Sequence, residues 1–337
     1  MSERRGKTVV VTGGAGFIGS HLTERMVGAG HQVRVLDDFS TGRPENLAHL
    51  AAPTNLSLRA VDIVSDPLDE HFAGADVVFH LAARADIVPS IDDPITYHRA
   101  NVDGTVAVLE AARRAGVARL VYAASSSCYG IPDHYPTAEH APARPQYPYA
   151  LTKYLGEQCV LHWHQVYGLS CNVLRLFNVY GPRSRTNGTY GAVFGVFLAQ
   201  KLANKPFTVV GDGRQTRDFV FVSDVVDAFV NAAEIAADGL VANIGAGNPQ
   251  SIRYLVELLG GTVVYIPKRP GEPPCTHADI SRANEQLGWA PRTSFEQGVA
   301  KMLEQIDYWR DAPVWDAASI SSATERWFAC LEGAKGG

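Results

Sequence analysis

The stretch that most constrains the fold is a glycine-rich turn near the start of the chain, Thr12-Gly13-Gly14-Ala15-Gly16-Phe17-Ile18-Gly19. The β-branched run 7–11 predicts a buried strand before the turn, and apolar residues after the turn recur at helical spacing. Gly13 permits a tight turn, Gly16 lets backbone approach a phosphate, and Gly19 lets the helix pack closely on the strand. Because a helix N-terminus offers unpaired N–H groups and a positive dipole end, the stretch predicts a phosphate-binding strand–helix–strand unit.

A carboxylate follows at the distance that is typical of a dinucleotide site. The next predicted strand, residues 32–36, ends at Asp37, about 20 residues beyond the turn. A carboxylate there accepts hydrogen bonds from both hydroxyls of an adenosine ribose and repels a 2′-phosphate. The spacing therefore predicts NAD(H) rather than NADP(H). The alternative is a strand–helix–strand unit with a tight turn and no ligand.

Composition narrows the class of function. The chain has 337 residues and a formal net charge of −5, and without a basic stripe it is not expected to bind nucleic acid or a membrane surface. No apolar run reaches the ~18 residues that would span a bilayer, and no signal peptide is expected. The five cysteines are odd in number and lack Cys-x-x-Cys spacing. This pattern predicts reduced thiols in a cytoplasm, no disulfide framework and no metal site.

The element pattern divides the chain into three parts. Residues 1–178 alternate short apolar strands (56–60, 77–81, 119–124 and 171–176) with helical segments (96–114 and 152–167), which is typical of a parallel sheet. From residue 179 proline, glycine and arginine increase and the simple alternation ends. We expect an α/β fold with a Rossmann-type doubly wound sheet over 1–178, a smaller α/β substrate-binding lobe over 179–303, and C-terminal packing helices over 304–337.

The Gly-x-x-Gly-x-x-Gly spacing, together with the strand-end carboxylate, resembles the short-chain dehydrogenase/reductase superfamily, specifically its extended branch of nucleotide-sugar epimerases, dehydratases and decarboxylases. The resemblance covers about residues 7–303 and implies that late segments return to the first sheet. The residues that match the family's cofactor contacts are Gly13, Gly16, Phe17, Ile18, Gly19, Asp37, Asp38, Ser40, Thr41, Gly42, Asp62, Ile63, Leu81, Ala82, Ala83, Asn101, Tyr149 and Lys153.

Three of these cofactor assignments carry specific roles. The resemblance implies that Asp62 and Ile63 bracket the adenine ring, whereas Asp62 could instead be an ordinary turn residue at a strand end. In Leu81-Ala82-Ala83 the small side chains are expected to keep backbone close to the cofactor. Asn101 is expected to brace the active site from within its helix, and the alternative is an asparagine that faces solvent.

Tyr149 and Lys153 lie four residues apart, which places a phenol and an ammonium group on one helical face. An unperturbed tyrosine, with a pKa near ~10, is a poor base at neutral pH. A nearby ammonium group and the positive nicotinamide ring are expected to lower that pKa, so that the phenolate takes a proton from a sugar hydroxyl. In the family, the lysine also holds the nicotinamide ribose, and the serine that matches Ser125 binds the reacting oxygen. The alternative for Ser125 is an ordinary strand-end serine.

The two positions after Ser125 distinguish the reactions of this family. In dTDP-glucose 4,6-dehydratases they are an Asp-Glu pair that expels water, and in UDP-glucuronate decarboxylases the second is a glutamate. Here they are Ser126 and Ser127, and a serine hydroxyl cannot replace a carboxylate base. This departure matches the 4-epimerases, which need no such base. Cys128 is expected to be a packed strand residue, with a catalytic thiol as the alternative.

The second half of the chain carries matches to the family's nucleotide-sugar contacts. The resemblance implies that Arg217 and Arg269 bind the diphosphate, since guanidinium groups make charge-assisted bonds to phosphate. Glu272 is expected to bind the nucleotide ribose, and Thr276, four residues later, is small enough to admit an N-acetyl group. The remaining candidate substrate contacts are Ser126, Ser127, Asn178 and Arg183, and the arginine-rich stretch 183–188 is a candidate for contacts to the sugar.

These matches predict NAD-dependent 4-epimerisation of a nucleotide-diphospho-sugar through a 4-keto intermediate. The sugar is a UDP-hexose, N-acetylhexosamine or hexuronate. The alternatives are a 4,6-dehydratase or decarboxylase with an unorthodox base, and a non-catalytic NAD(H)-sensing protein. The helices over 96–114 and 152–167 resemble the pair that forms an intermolecular four-helix bundle in this family. A homodimer is therefore expected, with Leu155, Val160, Trp163 and Val166 as its apolar surface.

Overall fold

A parallel sheet organises the fold. The structure is a computed structural model and describes residues 6–50, 53–184 and 191–332. Its strands are β1 (Thr8–Thr12), β2 (Gln32–Asp37), β3 (Leu56–Ala60), β4 (Val77–His80), β5 (Arg119–Ser125), β6 (Cys171–Leu176), β7 (Asn178–Tyr180), β8 (Phe207–Val210), β9 (Thr216–Arg217), β10 (Phe219–Phe221), β11 (Leu240–Ile244), β12 (Gln250–Ser251) and β13 (Val263–Ile266). Seven of these described strands form the sheet in the order β3-β2-β1-β4-β5-β6-β11, and every neighbouring pair is parallel.

Helices cover both faces of this sheet, which confirms the expected doubly wound α/β class. The α-helices are α1 (Phe17–Gly28), α2 (Asp69–Phe72), α3 (Ile87–Asp92), α4 (Pro94–His98), α5 (Gly104–Arg114), α6 (Pro148–Tyr167), α7 (Val193–Leu202), α8 (Val222–Glu234), α9 (Ile252–Leu259), α10 (Ser281–Leu287), α11 (Phe295–Glu304) and α12 (Ala317–Glu332). Short 3₁₀ turns span Pro44–Leu50, Ser126–Tyr129 and Ile306–Trp309. Within the described ranges, none of these helices combines the length and the apolarity needed to cross a bilayer.

The strands are buried on both faces, which explains their nearly continuous apolar sequences. Val9 and Val11 belong to one hydrophobic core, with side chains of α1 and α8. Val10, between them, belongs to a second core, with side chains of α5 and α6. This alternation is the period of two that a pleated strand imposes.

A third core holds the smaller lobe together. It contains many aromatic side chains, among them Phe194, Phe219 and Phe295, and the rings of Phe219 and Phe295 stack with centroids 5.1 Å apart. In this part of the chain β8 pairs with β13, β7 with β10, and β9 with β12. The chain also returns to the large sheet, because β11 pairs with β6.

The expected strands are present to within one residue at each end, but the helices differ from expectation in two ways. The helix expected over 96–114 is present, but it contains a π-helical turn, Arg99–Asp103, between α4 and α5. The helix expected over 152–167 begins earlier, with Pro148 in its first turn, where a missing N–H costs nothing. This earlier start places Tyr149 in the first turn of α6.

Candidate active site

The carboxyl ends of the parallel strands bring the predicted residues to one edge of the sheet. Thr12 is in register with Leu36 and with His80, and Ser125 is in register with Leu176. The strand order reverses between β1 and β4, and ligands of open α/β sheets bind at such a point. A pocket lies here, and its lining includes the predicted cofactor residues Gly13, Gly16, Phe17, Ile18, Gly19, Asp37, Asp38, Ser40, Thr41, Asp62, Ile63, Leu81, Ala82, Ala83, Tyr149 and Lys153.

The glycine turn is built as its sequence predicts. Gly13 has a φ of +70°, and a Cβ there would lie 2.7 Å from the Ala82 nitrogen. A Cβ on Gly19 would collide with the carbonyl oxygen of Gly13. Gly16 lines the pocket, and a Cβ there would meet just this one oxygen, at 3.1 Å. The turn therefore leaves backbone open to a phosphate at the N-terminus of α1.

Asp37 is held in place by backbone N–H groups. Its Oδ2 accepts a hydrogen bond from the Ala15 nitrogen, and its Oδ1 accepts one from the Phe39 nitrogen, each at 2.9 Å. Burial raises the pKa of Asp37, and these N–H groups oppose the rise. Gly42 packs against the same carboxylate, where a Cβ would collide with it. Gly42 therefore supports the predicted ribose contact from beside the pocket.

Asp62 is a turn residue at a strand end that also lines the pocket, so its contact with the adenine ring stays a prediction. Its Oδ1 accepts from the Val64 nitrogen at 2.9 Å and its Oδ2 from the Ser65 hydroxyl at 3.0 Å, so it organises a turn at a strand end. It also lines the pocket, as does Ile63 beside it.

Asn101 is fully buried, so the alternative that its side chain faces solvent is wrong. Its Oδ1 accepts from the Arg84 nitrogen at 2.8 Å, and its Nδ2 donates to the Arg84 carbonyl oxygen and to the Thr152 hydroxyl, each at 3.0 Å. These bonds hold the loop after β4 against helix α6. Asn101 sits in the π-helical turn, a feature that occurs frequently at functional sites.

The three expected catalytic residues meet in the pocket. The Tyr149 hydroxyl donates to Ser125 Oγ at 3.3 Å, and Lys153 follows one turn later on α6. Ser125 Oγ also accepts from the Ser127 nitrogen at 3.2 Å and lies 2.8 Å from Ser127 Oγ. Because Ser125 accepts twice, its own proton can go to Ser127 Oγ, so the Ser127 hydroxyl belongs to the same hydrogen-bond chain.

Burial governs the electrostatics of Tyr149 and Lys153. It raises the pKa of Tyr149, and the hydrogen bond with Ser125 opposes that rise. The expected lowering combines the charge of Lys153 with that of the nicotinamide ring, so it stays a prediction for the protein with NAD bound. Burial lowers the pKa of Lys153 to about 7 and Glu157 opposes this, while Lys153 Nζ lies 4.3 Å from the centroid of the Tyr122 ring.

Two groups of expected substrate residues also come together. The Arg269 guanidinium is 2.9 Å from Glu272 Oε1, and the Arg217 guanidinium is 3.5 Å from Glu272 Oε2. The Thr276 hydroxyl donates to Asn178 Oδ1 at 2.7 Å and accepts from the Asp218 nitrogen at 2.9 Å. Apart from Asn178, at the end of the first part of the chain, these residues lie in the range expected to form the smaller lobe.

Tyr147 lies between α6 and the arginine cluster, which is formed by Arg217 and Arg269 around Glu272. No sequence motif indicated Tyr147. Its ring stacks on Tyr149 with centroids 6.4 Å apart. Burial raises its pKa, the charge of Glu272 raises it further, and the charge of Arg217 lowers it. Tyr147 is therefore within electrostatic reach of the arginine cluster and packs on Tyr149.

Arg183 lies in the dinucleotide pocket rather than beside the other expected substrate contacts. Its guanidinium pairs with Glu24 of α1. Within the described residues, Arg183 Nη1 and Ser184 Oγ are buried without a hydrogen-bond partner, and both residues line the pocket. Such donors suit an anionic group close to the glycine turn. Residues 185–188 of the expected sugar-contact stretch lie outside the described residues.

Cys128 is a packed residue, as expected, but it lies in the 3₁₀ turn Ser126–Tyr129 and not in a strand. It is buried in a small cluster with Tyr129, Phe177 and Ala278. Burial raises the pKa of its thiol to about 12, so the thiolate that a nucleophile needs is disfavoured.

Other pocket residues were not found by the sequence analysis. Asp86, in the loop after β4, lines the pocket, and its charge raises the pKa of Tyr149. Ala312, Pro313 and Trp315 line the pocket from the C-terminal segment. The aromatic content of that segment predicts packing, but no local pattern indicates which surface it packs on.

Comparison with known proteins identifies the family. The chain matches the model of the NAD dependent epimerase/dehydratase family over residues 9–245. It is 41% identical over 304 residues to the UDP-glucose 4-epimerase of Mycolicibacterium smegmatis, an alignment that covers 88% of this chain and 97% of that protein. It is 35% identical to UDP-glucuronic acid decarboxylase 1 of Arabidopsis thaliana, covering 90% and 70% of the two chains. The crystal structure of UDP-glucuronic acid 4-epimerase from Bacillus cereus with UDP-glucuronic acid and NAD superposes with a TM-score of 0.83, at 31% identity, over 89% and 99% of the chains.

The chain belongs to the NAD-dependent epimerase/dehydratase family, as its motifs predict, and NAD as the cofactor is confirmed. The residues present fit NAD. The open backbone at Gly16 and the unpartnered donors of Arg183 and Ser184 suit its pyrophosphate. Asp37 suits the adenosine ribose, and Lys153 suits the ribose next to the nicotinamide.

The burial of Lys153 predicts a pH-dependent stability. Its pKa falls from 10.5 in the unfolded chain to about 7 in the folded one, so the unfolded state binds more protons between these two values. Wild-type stability is therefore expected to be penalised below about pH 7 and to recover as the pH rises towards 10.5. Lys153→Met removes this penalty, so its stability advantage over the wild type should be largest near pH 6 and shrink by pH 9.

Urea unfolding at the two pH values measures this difference. Lys205→Met, at an exposed position, is the control and should show no such change with pH. The prediction would be contradicted if the free energies of unfolding of Lys153→Met and the wild type changed equally between the two pH values.

Proposed function

We propose that the protein catalyses the NAD-dependent 4-epimerisation of a UDP-hexose, UDP-N-acetylhexosamine or UDP-hexuronate through a 4-keto intermediate. The observation that carries the proposal is the hydrogen-bond chain from Tyr149 through Ser125 to Ser127. It supplies an acid–base group beside a sugar hydroxyl, and it places hydroxyls where dehydration or decarboxylation would need a carboxylate.

The residues of the pocket have separate tasks in this reaction. Tyr149 takes the proton of the sugar 4-hydroxyl and later returns a proton to the 4-keto oxygen. Ser125 holds that oxygen by a hydrogen bond, and Lys153 holds the nicotinamide ribose. The chemistry that NAD supplies when bound is reversible hydride acceptance. Because no base for the C5 proton comes from Ser126 or Ser127, the 4-keto sugar is expected to be reduced again with C6 intact.

The smaller lobe binds the rest of the substrate. Arg217 and Arg269 bind the diphosphate, and Glu272, which contacts both guanidinium groups, binds the nucleotide ribose. Asn178 contacts the substrate beside them. Because the sugar must rotate between oxidation and reduction, fixed anchors on the diphosphate keep it in the site while the ring turns.

Asp86 is the feature that favours a second candidate function. It lines the pocket near Tyr149, so a 4,6-dehydratase or decarboxylase could use it as the base that positions 126 and 127 lack. A non-catalytic NAD(H)-binding protein would need no such geometry, and the intact Ser125, Tyr149 and Lys153 argue against it.

We also propose a homodimer, through a surface that differs from the one expected. Val160 is fully buried within the chain, so it is not available to a partner. Trp163, whose indole N–H donates to Glu110 of α5 at 2.7 Å, and Leu155 are half-buried. The exposed apolar side chains on α4 and α6 are Ile95, Leu151, Val166 and Tyr167.

A cytoplasmic location also belongs to the proposal. The five cysteines are free thiols, the state that a reducing compartment maintains. Cell fractionation would test it.

Product analysis tests the reaction. The purified protein is incubated with UDP-glucose, UDP-N-acetylglucosamine and UDP-glucuronic acid, and products are read by NMR. We expect a 4-epimer of at least one of them, and we expect Tyr149→Phe to lower kcat by ~10²–10⁴ with the fold intact. The control Tyr265→Phe, at an exposed position, should retain activity.

Other products would identify the alternatives. A 6-deoxy-4-keto sugar or CO₂, lost in Asp86→Asn, would support the dehydratase or decarboxylase. NAD binding without turnover of any sugar would support the non-catalytic protein.

The size of Thr276 predicts tolerance of a substituent at C2 of the sugar. Thr276→Tyr should lower turnover of the N-acetylated sugar by ~10-fold or more relative to the plain hexose, because the added ring crowds C2. Thr276→Ser keeps the hydroxyl that contacts Asn178 and is the control. Equal losses for both sugars in Thr276→Tyr would place this residue outside the sugar site.

The exposed face of α6 predicts the response of the dimer to a charge. Val166→Glu should give a monomer in light scattering at micromolar concentration, because it buries a carboxylate in an apolar interface. Val264→Glu introduces the same charge at an exposed valine of β13 and should remain dimeric. A monomeric wild type would refute the proposed dimer.

A further inference from the structure

The C-terminal segment, residues 306–332, has no role in the family resemblance, which ends near Leu303. The alignments with the two epimerases cover 97% and 99% of those proteins, but only 88% and 89% of this chain. Yet this segment contacts the cofactor loops, the dinucleotide pocket and the arginine loop of the smaller lobe in turn.

The first part of the segment reaches the adenosine side of the dinucleotide pocket. The Tyr308 hydroxyl donates to Asn46 Oδ1 at 3.0 Å. Asn46 is buried, and its Nδ2 donates to the Ala15 carbonyl oxygen in the glycine turn at 2.9 Å. The Arg43 guanidinium lies 5.7 Å from the centroid of the Tyr308 ring. The segment is thus tied to the turn that receives the pyrophosphate.

The middle of the segment forms a wall of the same pocket. Pro313 and Trp315 line it, and the buried Gln200 of α7 donates to the Trp315 carbonyl oxygen at 2.7 Å. Trp309 is fully buried in the core of the smaller lobe. These contacts fix the segment between the pocket and that lobe.

Helix α12 then packs on the loop that carries Arg269. Trp327 is 2% exposed, and its indole N–H donates to the Pro270 carbonyl oxygen at 2.9 Å. The Arg269 guanidinium lies 5.7 Å from the centroid of the Trp327 ring. One position earlier, Arg326 is 3.1 Å from a carboxylate oxygen of Asp92 in α3. Helix α12 therefore joins the arginine loop to the helix that follows the pocket loop of β4.

An arginine that binds a diphosphate is more effective when its geometry is fixed in advance. A long side chain otherwise loses rotamer freedom on binding, and that loss is subtracted from the affinity. Trp327 restrains Arg269 in two ways. Its indole N–H holds the backbone of Pro270, the next residue after Arg269, and the Trp327 ring attracts the Arg269 guanidinium. Glu272 then orients the same guanidinium from one side.

We propose that Trp327 is a positioning residue for Arg269, and that the C-terminal segment is thereby part of the nucleotide-sugar site. This inference rests on the proposed function, since it takes Arg269 as a diphosphate contact. It assigns Trp327 a role in substrate affinity and none in the chemical step.

The experiment compares two buried tryptophans with the same local chemistry. Trp289 is 3% exposed, and its indole N–H donates to the Asp224 carbonyl oxygen at 2.7 Å, within the core of the large sheet. Trp327→Phe and Trp289→Phe therefore lose the same group, but only the first lies against Arg269. UDP affinity is measured by calorimetry, KM and kcat with the UDP-sugar, and Tm by thermal unfolding.

We expect Trp327→Phe to weaken UDP binding and raise KM by about 5- to 30-fold, with kcat within about twofold of the wild type. Trp289→Phe should lower Tm and leave the UDP affinity unchanged. In an Arg269→Ala background, Trp327→Phe should have no further effect on UDP affinity, because the residue through which it acts is gone.

Three outcomes would overturn the inference. The first is UDP affinity in Trp327→Phe equal to that of the wild type or of Trp289→Phe. The second is an undiminished effect of Trp327→Phe in the Arg269→Ala background. The third is a fall in kcat without a change in KM. If Trp327→Phe does not fold, Trp327→Tyr replaces it with the same expected direction.

A separate measurement tests the proposed function: it fails if the wild-type protein makes no 4-epimer. The positioning role of Trp327 is tested by UDP affinity, which does not require turnover.

Discussion

A buried chain of hydrogen bonds connects the glycine turn to the catalytic helix, and the site depends on it. Thr12 Oγ1 lies 2.7 Å from His80 Nδ1, and His80 Nε2 lies 3.0 Å from the Thr105 hydroxyl. Because Thr105 donates to the Asn101 carbonyl oxygen, it must accept from Nε2–H, and Nδ1 accepts from Thr12. Asn101 then reaches the Thr152 hydroxyl of α6. Burial lowers the pKa of His80 to about 3, so the neutral ring keeps this one arrangement at physiological pH.

The same region holds buried charges that are satisfied in different ways. Glu157, one turn after Lys153, makes a two-pronged pair with Arg175 at 2.6 and 2.9 Å. Arg175 also donates to the Tyr129 hydroxyl at 2.8 Å. Because Glu157 is committed to this pair, it neutralises Lys153 only in part, and burial lowers the pKa of the lysine. Such a pair costs desolvation, and here it keeps α6 fixed against β6 beneath the catalytic groups.

The two parts of the fold hold different groups of the residues that the proposed function needs. The large sheet has the dinucleotide pocket and the Tyr149–Ser125 pair at its carboxyl edge, while Arg217, Arg269 and Glu272 lie together in the smaller lobe. Tyr147 lies between them, stacked on Tyr149 and within the electrostatic reach of the arginine cluster. The C-terminal segment joins the two parts again on the opposite side, through contacts to the glycine turn and to the arginine loop.

The sequence by itself determined the parts of this protein that depend on local spacing. The glycine turn, Asp37 at the strand end and the four-residue step from Tyr149 to Lys153 follow from backbone geometry within one element or one turn. Tertiary packing decided what local spacing does not encode. It placed Arg183 beside Glu24, buried Val160 in the core, and inserted a π-helical turn around Asn101. Burial also raises the pKa of Tyr149. These outcomes depend on desolvation and on contacts between segments that lie far apart in the chain.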